Sequence, residues 1–197
     1  SGLLSHIDNG LLVMDEFDKG QKLEYLNEIL SDGIISLAKA STIKDTKINV
    51  AFTIIMNPID KEFNQSSTIL SQINIEKDLR SRFAFTFILI KGGSVNINDL
   101  AIKEENIDRL KYMVCRAIDN RYFKLSLSDI KIGMIDDIYR TLNKTYSHLM
   151  DDRLKQHIQN TILGLCYLYE TKPDDAIVLE TLKLFSNSYN RLDEDCL

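Results

Sequence analysis

The hydrophobic periodicity of the chain changes at one place, the stretch Lys91-Gly92-Gly93-Ser94, and this change limits the folds open to the chain. Before it, residues 1–90 alternate short apolar runs with helical patterns, which is typical of a parallel α/β sheet. After it, the apolar spacing is purely helical. Two adjacent glycines also favour a boundary between segments. We therefore expect an α/β core over residues 1–92, a linker over 93–103 and a small α-helical lid subdomain over 104–197.

The first strand predicted in the α/β part is the apolar run 11–14, which ends in the acidic tetrad Asp15-Glu16-Phe17-Asp18. Leucines at helical spacing follow it, and Asp32-Gly33 is a typical stop signal for that helix. Three further strand-like runs are predicted at 34–40, 48–56 and 83–90. The polar, lysine-bearing segment 41–47 is expected to join the first two of them as a hairpin that runs into a core strand.

Four apolar stripes at helical spacing predict a helical bundle in the second part. They are Ile107, Leu110, Val114 and Ala117; Ile135, Ile138 and Leu142; Leu154, Ile158, Ile162 and Leu165; and Val178, Leu182 and Phe185. The fourth helix is expected to start within 171–175, because proline suits a first turn and carboxylates favour the helix N-terminus.

The composition narrows the function classes. The chain has 197 residues, 44% of them hydrophobic and 27% charged, which is ordinary globular composition rather than that of a disordered protein. Its net charge of −5 argues against coating nucleic acid by bulk charge, so any DNA contact must be local. The three cysteines are far apart, which disfavours a disulfide framework or a zinc ribbon. No apolar run reaches the ~18 residues of a membrane span, so we expect no membrane partner.

Three places along the α/β part carry side chains suited to nucleotide chemistry. Asp15 and Glu16 end a hydrophobic strand, where one carboxylate could hold Mg²⁺ and the next could polarise a water. Asn57 ends a second strand, at a level where its amide could bind that water. Arg82 directly precedes the predicted last strand, a rigid platform for a guanidinium that neutralises phosphate. The alternative for Asp15 and Glu16 is simple capping of the following helix.

Several segments, in order, resemble motifs of the AAA+ ATPase module of minichromosome maintenance (MCM) helicases. They are 2–10, similar to "GALVLADGG"; "DEFDK" at 15–19, similar to the Walker B motif; "ISLAKAS" at 35–41, similar to the hairpin before sensor 1; Asn57-Pro58, similar to sensor 1; "LRSRF" at 79–83, similar to the arginine-finger motif; and Asp152-Arg153-Leu154, similar to sensor 2. The resemblance implies an incomplete AAA+ (P-loop NTPase) parallel sheet followed by a small α-helical lid.

The resemblance also implies roles for individual residues. Asp15 would help to bind Mg²⁺, Glu16 would activate water, and Asn57 would position that water against the γ-phosphate of ATP. Arg82 would be an arginine finger that acts in trans on the ATP of a neighbouring subunit. Arg153 would be the sensor 2 arginine and would also reach across the interface.

Lys39 would lie on a pore hairpin that contacts the DNA backbone inside a hexameric ring. The expected protein is thus an ATP-dependent DNA helicase of replication, a homo-oligomer located in the cytoplasm or nucleoid, or in the nucleus of a eukaryote. Simpler interpretations remain open at three positions: Arg82 as an ordinary ion-pair partner, Lys39 as a solvated lysine, and Arg153 as a partner of a neighbouring acid.

Two departures from the family pattern bear on this interpretation. The chain contains no G-x-x-x-x-G-K-[ST] phosphate loop, so we expect it to be a segment of a longer protein and to be inactive alone. Ala84 stands where the family often has Asp, which favours a divergent, bacterial, archaeal or mobile-element member. Two alternative functions follow: a non-catalytic AAA+-like assembly subunit that completes a partner's ATP site, or a remodelling ATPase of the magnesium-chelatase type.

Overall fold

The structure, a computed structural model, describes residues 10–19, 24–39, 42–48, 50–64, 66–89, 108–109, 111–113, 115 and 124–193. These residues fall into two compact units, one within 1–83 and one within 84–193. The division lies between Phe83 and Ala84, earlier in the chain than the boundary that the two glycines predict.

The described residues of the first unit form four strands and two helices. In chain order they are β1 (Gly10–Met14), α1 (Glu24–Asp32), β2 (Ile34–Lys39), β3 (Thr42–Lys47), β4 (Val50–Ile54) and α2 (Lys77–Arg80). Single 3₁₀ turns occur at Phe17–Lys19 and Ile69–Gln72.

Strands β1 and β4 pair in parallel, from Gly10 opposite Val50 to Met14 opposite Ile54. This pair confirms a parallel α/β arrangement, with a small sheet in the described part of the chain. Alternate residues of both strands face the core of the unit, because successive side chains of a strand point to opposite faces. The core is built on three buried side chains and seven partly buried ones: Phe17, Leu26 and Leu79, with Met14, Leu30, Phe52, Ile54, Met56, Ile75 and Phe83 packed against them.

Helix α1 ends at Asp32, where the sequence predicts its stop. Gly33 follows with a left-handed φ of 63°, and its N–H donates to the carbonyl of Ile29 at 2.9 Å. A side chain at Gly33 would be strained at this φ, and its Cβ would lie 3.1 Å from the carbonyl oxygen of Ile48. The predicted glycine stop signal is therefore confirmed with a physical reason.

The hairpin differs from the prediction in one respect. Strand β2 pairs antiparallel with β3, from Ile34 opposite Lys47 to Lys39 opposite Thr42. The polar segment 41–47 was expected to be the connection, but most of it is the second strand. Strand β4 instead leaves the hairpin and pairs with β1. Strand β3 has few apolar residues, and for this reason its sequence resembles that of a loop.

The loop between β4 and α2 is organised around the buried amide of Gln72, which is only 7% exposed. Its Nε2 donates to the carbonyls of Asn64 and Ser67 at 3.0 and 2.9 Å, and its Oε1 accepts the N–H of Asn64. The carbonyl of Gln72 also accepts the N–H of Ile59 at 2.9 Å. The Gln72 side chain thus supplies hydrogen-bond partners to the backbone of this irregular loop, which has no neighbouring strand among the described residues to supply them.

The run 83–90 was predicted as a strand, but its described residues, 83–89, form no strand. A strand needs a partner for its N–H and C=O groups, and hydrophobicity alone does not provide one. At Thr86 the hydroxyl of Ser188 takes the place of a neighbouring strand as the partner of both backbone groups. It accepts the Thr86 N–H at 3.0 Å and donates to the Thr86 carbonyl at 2.9 Å.

The second unit is mainly helical in the part that the structure describes. Its helices α3 (Ile132–Tyr146), α4 (Leu154–Tyr169) and α5 (Asp175–Asp193) pack pairwise against one another. The second and third predicted stripes are confirmed by buried residues, namely Ile135, Ile138 and Leu142 on α3 and Leu154, Ile158 and Ile162 on α4, with Cys166 rather than Leu165 completing the row. The first predicted stripe lies outside the described residues. Within the described part of the chain, no helix is both long and apolar enough to cross a bilayer.

Helix α5 confirms its predicted stripe only at Phe185, which is buried, whereas Val178 and Leu182 are only partly buried. Ile177, Thr181 and Ser188 are buried together with Phe185. Thr181 tolerates burial because its hydroxyl donates to the carbonyl of Ile177 at 2.8 Å. The predicted start is confirmed.

That start depends on a side-chain cap. The carboxylate of Asp174 accepts the N–H of Ile177 at 2.9 Å, as expected of an N-cap residue. The helix itself begins at Asp175, whose negative charge is favoured in a first turn.

Candidate functional site

The carboxyl ends of β1 and β4 meet at one edge of the parallel pair, and this edge carries the predicted acidic and amide residues. Met14 and Ile54 are paired at the last register position. Asp15 and Glu16 directly follow β1, and Asn57 follows β4 by a few residues. In open α/β sheets this edge is where ligands bind.

The backbone hydrogen bonds beyond the ends of β1 and β4 leave Asp15 and Glu16 outside the strand pairing. The N–H of Ile55 donates to the carbonyl of Met14 at 2.8 Å, and the carbonyl of Ile55 accepts the N–H of Phe17 at 3.0 Å. Ile55 therefore bonds to both Met14 and Phe17, and the two residues between them form a turn outside the pairing. Both extruded side chains are exposed, so the two carboxylates project from the rim of the sheet.

The extruded turn is tight. Glu16 has a φ of 52°, in the left-handed region that non-glycine residues seldom adopt. The carboxylate of Asp15 accepts the N–H of Glu16 at 2.7 Å, which closes the turn. Strained backbone of this kind is often found at functional sites and persists only where the surroundings hold it.

Phe17 and Asp18 hold the turn from the other side. The Phe17 side chain is 6% exposed and forms part of the core of the unit. The Asp18 carboxylate accepts the backbone N–H of Asn57 at 3.2 Å. Asp18 thereby ties the acidic turn to the segment after β4. The sequence predicts Asp18 as part of the acidic tetrad but predicts no role for it. Its partner, the N–H of Asn57, lies 39 residues away, and no local sequence pattern indicates such a contact.

Arg82 lies in the same unit, after α2. Leu79, which is fully buried, and Phe83 pack on the core that also holds Phe17, so the Arg82 backbone is fixed on both sides. Its side chain is withdrawn, however. One terminal nitrogen donates to the Asp78 carboxylate at 3.0 Å, and the Arg82 side chain is only 12% exposed. The spacing of Asp78 and Arg82, four positions apart, is the sequence signal for this pair.

The remaining predicted residues lie elsewhere in the chain. Lys39 is the last residue of β2 and pairs with Thr42 across the hairpin. Its side chain lies outside the described residues. Arg153 belongs to the second unit, where it is the N-cap residue of α4, and its backbone N–H donates to the Asp151 carboxylate at 2.8 Å. The structure thus brings Asp15, Glu16 and Asn57 to one edge, with Arg82 in the same unit.

The edge suits Mg²⁺ chemically, although it is not a complete cage of protein ligands. Mg²⁺ is usually held by one or two carboxylates together with waters and substrate phosphates. Asp15 and Glu16 supply exposed carboxylates of that kind. Among the described residues, no group of three or more histidine, cysteine, aspartate or glutamate side chains is arranged to hold a metal alone.

P-loop nucleoside triphosphatases hold Mg²⁺ with a Walker B aspartate and use a further side chain to position the attacking water. A family profile described as "MCM P-loop domain" matches residues 1–109, more than half of the chain. The chain belongs to this MCM family.

Individual relatives agree with that assignment at low identity. The DNA replication licensing factor mcm4-A of Xenopus laevis is 29% identical over 92 residues, covering 46% of this chain and 11% of that protein. The licensing factor mcm6 of Schizosaccharomyces pombe is 29% identical over 92 residues, with coverage of 46% and 10%. DNA helicase MCM8 of Gallus gallus is 32% identical over 91 residues, with coverage of 46% and 11%. The chain spans about a tenth of the length of these curated relatives.

Proposed function

We propose that the chain is part of the ATPase motor of an MCM-like hexameric DNA helicase, which couples ATP hydrolysis at subunit interfaces to DNA translocation and unwinding in replication. The observation that carries the proposal is the β1–β4 edge in a chain of the MCM family. Asp15 and Glu16 project there from a strained turn, and Asp18 ties that turn to Asn57. Relatives named replication licensing factors and a DNA helicase support the same role.

Three residues of the edge have separate tasks in hydrolysis. Water attacks the γ-phosphate of the substrate ATP, the terminal phosphoanhydride bond breaks, and ADP leaves; Mg²⁺, when bound, would neutralise charge on the phosphates. Asp15 would help to hold the metal, and the Glu16 carboxylate would accept a hydrogen bond from the attacking water and take up its proton. Asn57 binds the same water through its amide, on a backbone that Asp18 fixes. ATP binding also requires a phosphate-binding loop, whose backbone N–H groups cradle the phosphates.

Assembly of several subunits supplies further residues of the ATP site. Arg82 acts in trans on the ATP of the neighbouring subunit, and Arg153 serves as the sensor 2 arginine at an interface. A finger of this kind raises the hydrolysis rate by about 10³–10⁵-fold, so the motor works only as an oligomer. Lys39, at the end of the β2–β3 hairpin, contacts the phosphate backbone of DNA in the central pore. The protein acts where the DNA is, in the cytoplasm or nucleoid or in a eukaryotic nucleus.

A second candidate is a non-catalytic subunit that completes a partner's ATP site with its arginines, which are Arg82 and Arg153 in this chain. Such a subunit would use Arg82 and Arg153 but would not use its own Glu16. Mutation of Glu16 therefore separates the two candidates.

The test measures ATP hydrolysis, with and without single-stranded DNA, on protein expressed from its complete coding region. We expect Glu16→Gln to lower hydrolysis by about 10²–10⁴-fold while ATP binding is retained. Lys39→Ala is expected to remove the DNA-stimulated part of the rate and to leave the rest. Lys144→Ala, which removes an equal charge from an exposed position on α3, is the control and is expected to change neither.

Three outcomes would contradict the proposal. Hydrolysis that survives Glu16→Gln would remove Glu16 from the chemistry and favour the non-catalytic subunit. An active ATPase without any DNA response would favour a remodelling ATPase. Assembled protein that hydrolyses no ATP at all would leave the chain without a motor function.

A further inference from the structure

In the single subunit, the Arg82 side chain does not have the exposed position that its proposed trans role requires. A residue that touches the nucleotide of another subunit must present its guanidinium at the surface of its own subunit. The Arg82 side chain is instead 12% exposed and is bound to Asp78, which lies four positions earlier and is 60% exposed. The structure therefore shows the arginine in a withdrawn state, held by a residue of its own chain.

In the withdrawn state, one donor of the Arg82 guanidinium also lacks a hydrogen bond within the described part of the chain. The Nε of Arg82 is buried and has no hydrogen-bond partner among the described residues. A buried donor without a partner is unfavourable, because its hydrogen bond to water is lost and not replaced. Burial of the guanidinium is thus opposed by Nε and favoured by the bond from the terminal nitrogen to Asp78. Loss of the Asp78 contact therefore favours release of the guanidinium.

A γ-phosphate on a neighbouring subunit would compete with the Asp78 carboxylate for the same guanidinium. Both are anionic oxygen acceptors that arginine binds well, but the phosphate carries more charge and more oxygens. The backbone of Arg82 need not move in the exchange, because Leu79 and Phe83 fix it to the core. Only the side chain has to rotate outward.

We propose that Asp78 is a latch that holds the Arg82 finger inside its own subunit until the phosphate of a neighbouring subunit replaces it. This inference rests on the proposed function, since it assigns a regulator to the finger of that site. Asp78 opposes unproductive contacts of Arg82 in the unassembled chain. Its removal favours the extended finger.

The first experiment measures the latch without any ATPase activity. The rate at which phenylglyoxal modifies Arg82 is followed by peptide mass spectrometry, with Arg80, the last residue of α2, as an internal reference. Ion pairs of this exposure shift an equilibrium about two- to fivefold. We therefore expect Asp78→Asn to raise the Arg82 rate about two- to fivefold, relative to Arg80.

Two control variants accompany it. Glu76→Gln also removes one negative charge beside α2, but no described hydrogen bond or ion pair joins the Glu76 side chain to Arg82, so the rate should not change. Asp78→Glu keeps the carboxylate and should restore most of the protection. Equal Arg82 rates in the native chain and in Asp78→Asn, with melting curves that show intact folds, would overturn the latch.

The second experiment measures ATP hydrolysis as a function of subunit concentration, on protein expressed from its complete coding region. The latch predicts that Asp78→Asn lowers the concentration needed for half-maximal hydrolysis about two- to fivefold. Slower hydrolysis in Asp78→Asn, despite a more reactive Arg82, would show that Asp78 positions the finger and would overturn the latch. If Arg82→Ala leaves hydrolysis unchanged, the trans role of Arg82 is lost, and the latch proposal with it, whereas the reactivity experiment still reports whether the contact exists.

Discussion

The strained turn at Glu16 leads to a prediction about stability that is opposite in sign to the usual rule. We compare Glu16→Ala with Glu16→Gly, which differ only by the Cβ atom. Both variants lose the carboxylate and any contact it makes, so the difference between them reports the backbone alone. At an ordinary position, Gly is less stable than Ala by about 0.5–1 kcal/mol, because the unfolded chain gains freedom.

At Glu16 the native φ of 52° changes this balance. A residue with a Cβ pays about 1–2 kcal/mol in the left-handed region, and glycine does not. Subtracting the entropic cost of glycine leaves a net advantage of up to about 1.5 kcal/mol, so we expect Glu16→Gly to be about 1 kcal/mol more stable than Glu16→Ala. With a urea dependence of about 2 kcal/mol/M, the unfolding midpoint should rise by about 0.5 M.

The measurement is urea unfolding followed by far-ultraviolet circular dichroism, with hydrogen exchange of the β4 peptide assigning the change to the first unit. Ala51→Gly is the matched control, because Ala51 is exposed in β4 and is not among the described residues with positive φ. It should lower stability by about 0.5–1 kcal/mol. If Glu16→Gly is less stable than Glu16→Ala, the turn is not strained and the reasoning fails.

Two further predictions concern buried groups. Gln72→Leu should lower the free energy of unfolding by about 2–3 kcal/mol, because the backbone groups of Asn64 and Ser67 lose their buried partner; a urea midpoint equal to that of the native chain would contradict this. Burial, together with the charge of Asp174, raises the pKa of the Cys166 thiol to about 11, so at pH 8 iodoacetamide should label the exposed Cys115 well before Cys166. Equal labelling rates in the folded chain, read by mass spectrometry, would show that Cys166 is accessible.

The sequence predicted elements where a single chemical signal dominates. The apolar run before Asp15 predicts β1, and Gly33 ends α1 because only glycine accepts that φ without strain. The stripes of α3 and α4 are strongly periodic and indicate the buried faces correctly. In these elements the local pattern and the packing agree.

The sequence failed where buried polar side chains are satisfied by backbone carbonyls, at Thr181 within the same helix and at Ser188 far along the chain. Thr181 and Ser188 are buried on α5 because backbone carbonyls accept their hydroxyls, so the hydrophobic pattern indicates Val178 and Leu182 instead. The run 83–90 has the composition of a strand, but composition does not supply a neighbouring strand.

The candidate site shows the same division. Asp15, Glu16 and Asn57 could be selected from the sequence, since each directly or closely follows an apolar strand. The parallel pairing of β1 with β4 then brings them to one edge. The bond from the Asn57 N–H to Asp18, the φ of Glu16 and the withdrawal of Arg82 are properties of the folded chain, and only the structure supplies them.

The most direct test of the proposed motor mixes two inactive variants, Arg82→Ala and Glu16→Gln, of protein expressed from its complete coding region. The first keeps Glu16 and the second keeps the finger, so a mixed interface can hold one intact copy of each. If the finger acts in trans, an equal mixture should recover up to about a quarter of the native hydrolysis rate, since random assembly gives that share of complete interfaces. If no ratio recovers hydrolysis, while light scattering shows mixed oligomers of native size, Arg82 does not complete the neighbouring site and the proposed motor mechanism is wrong.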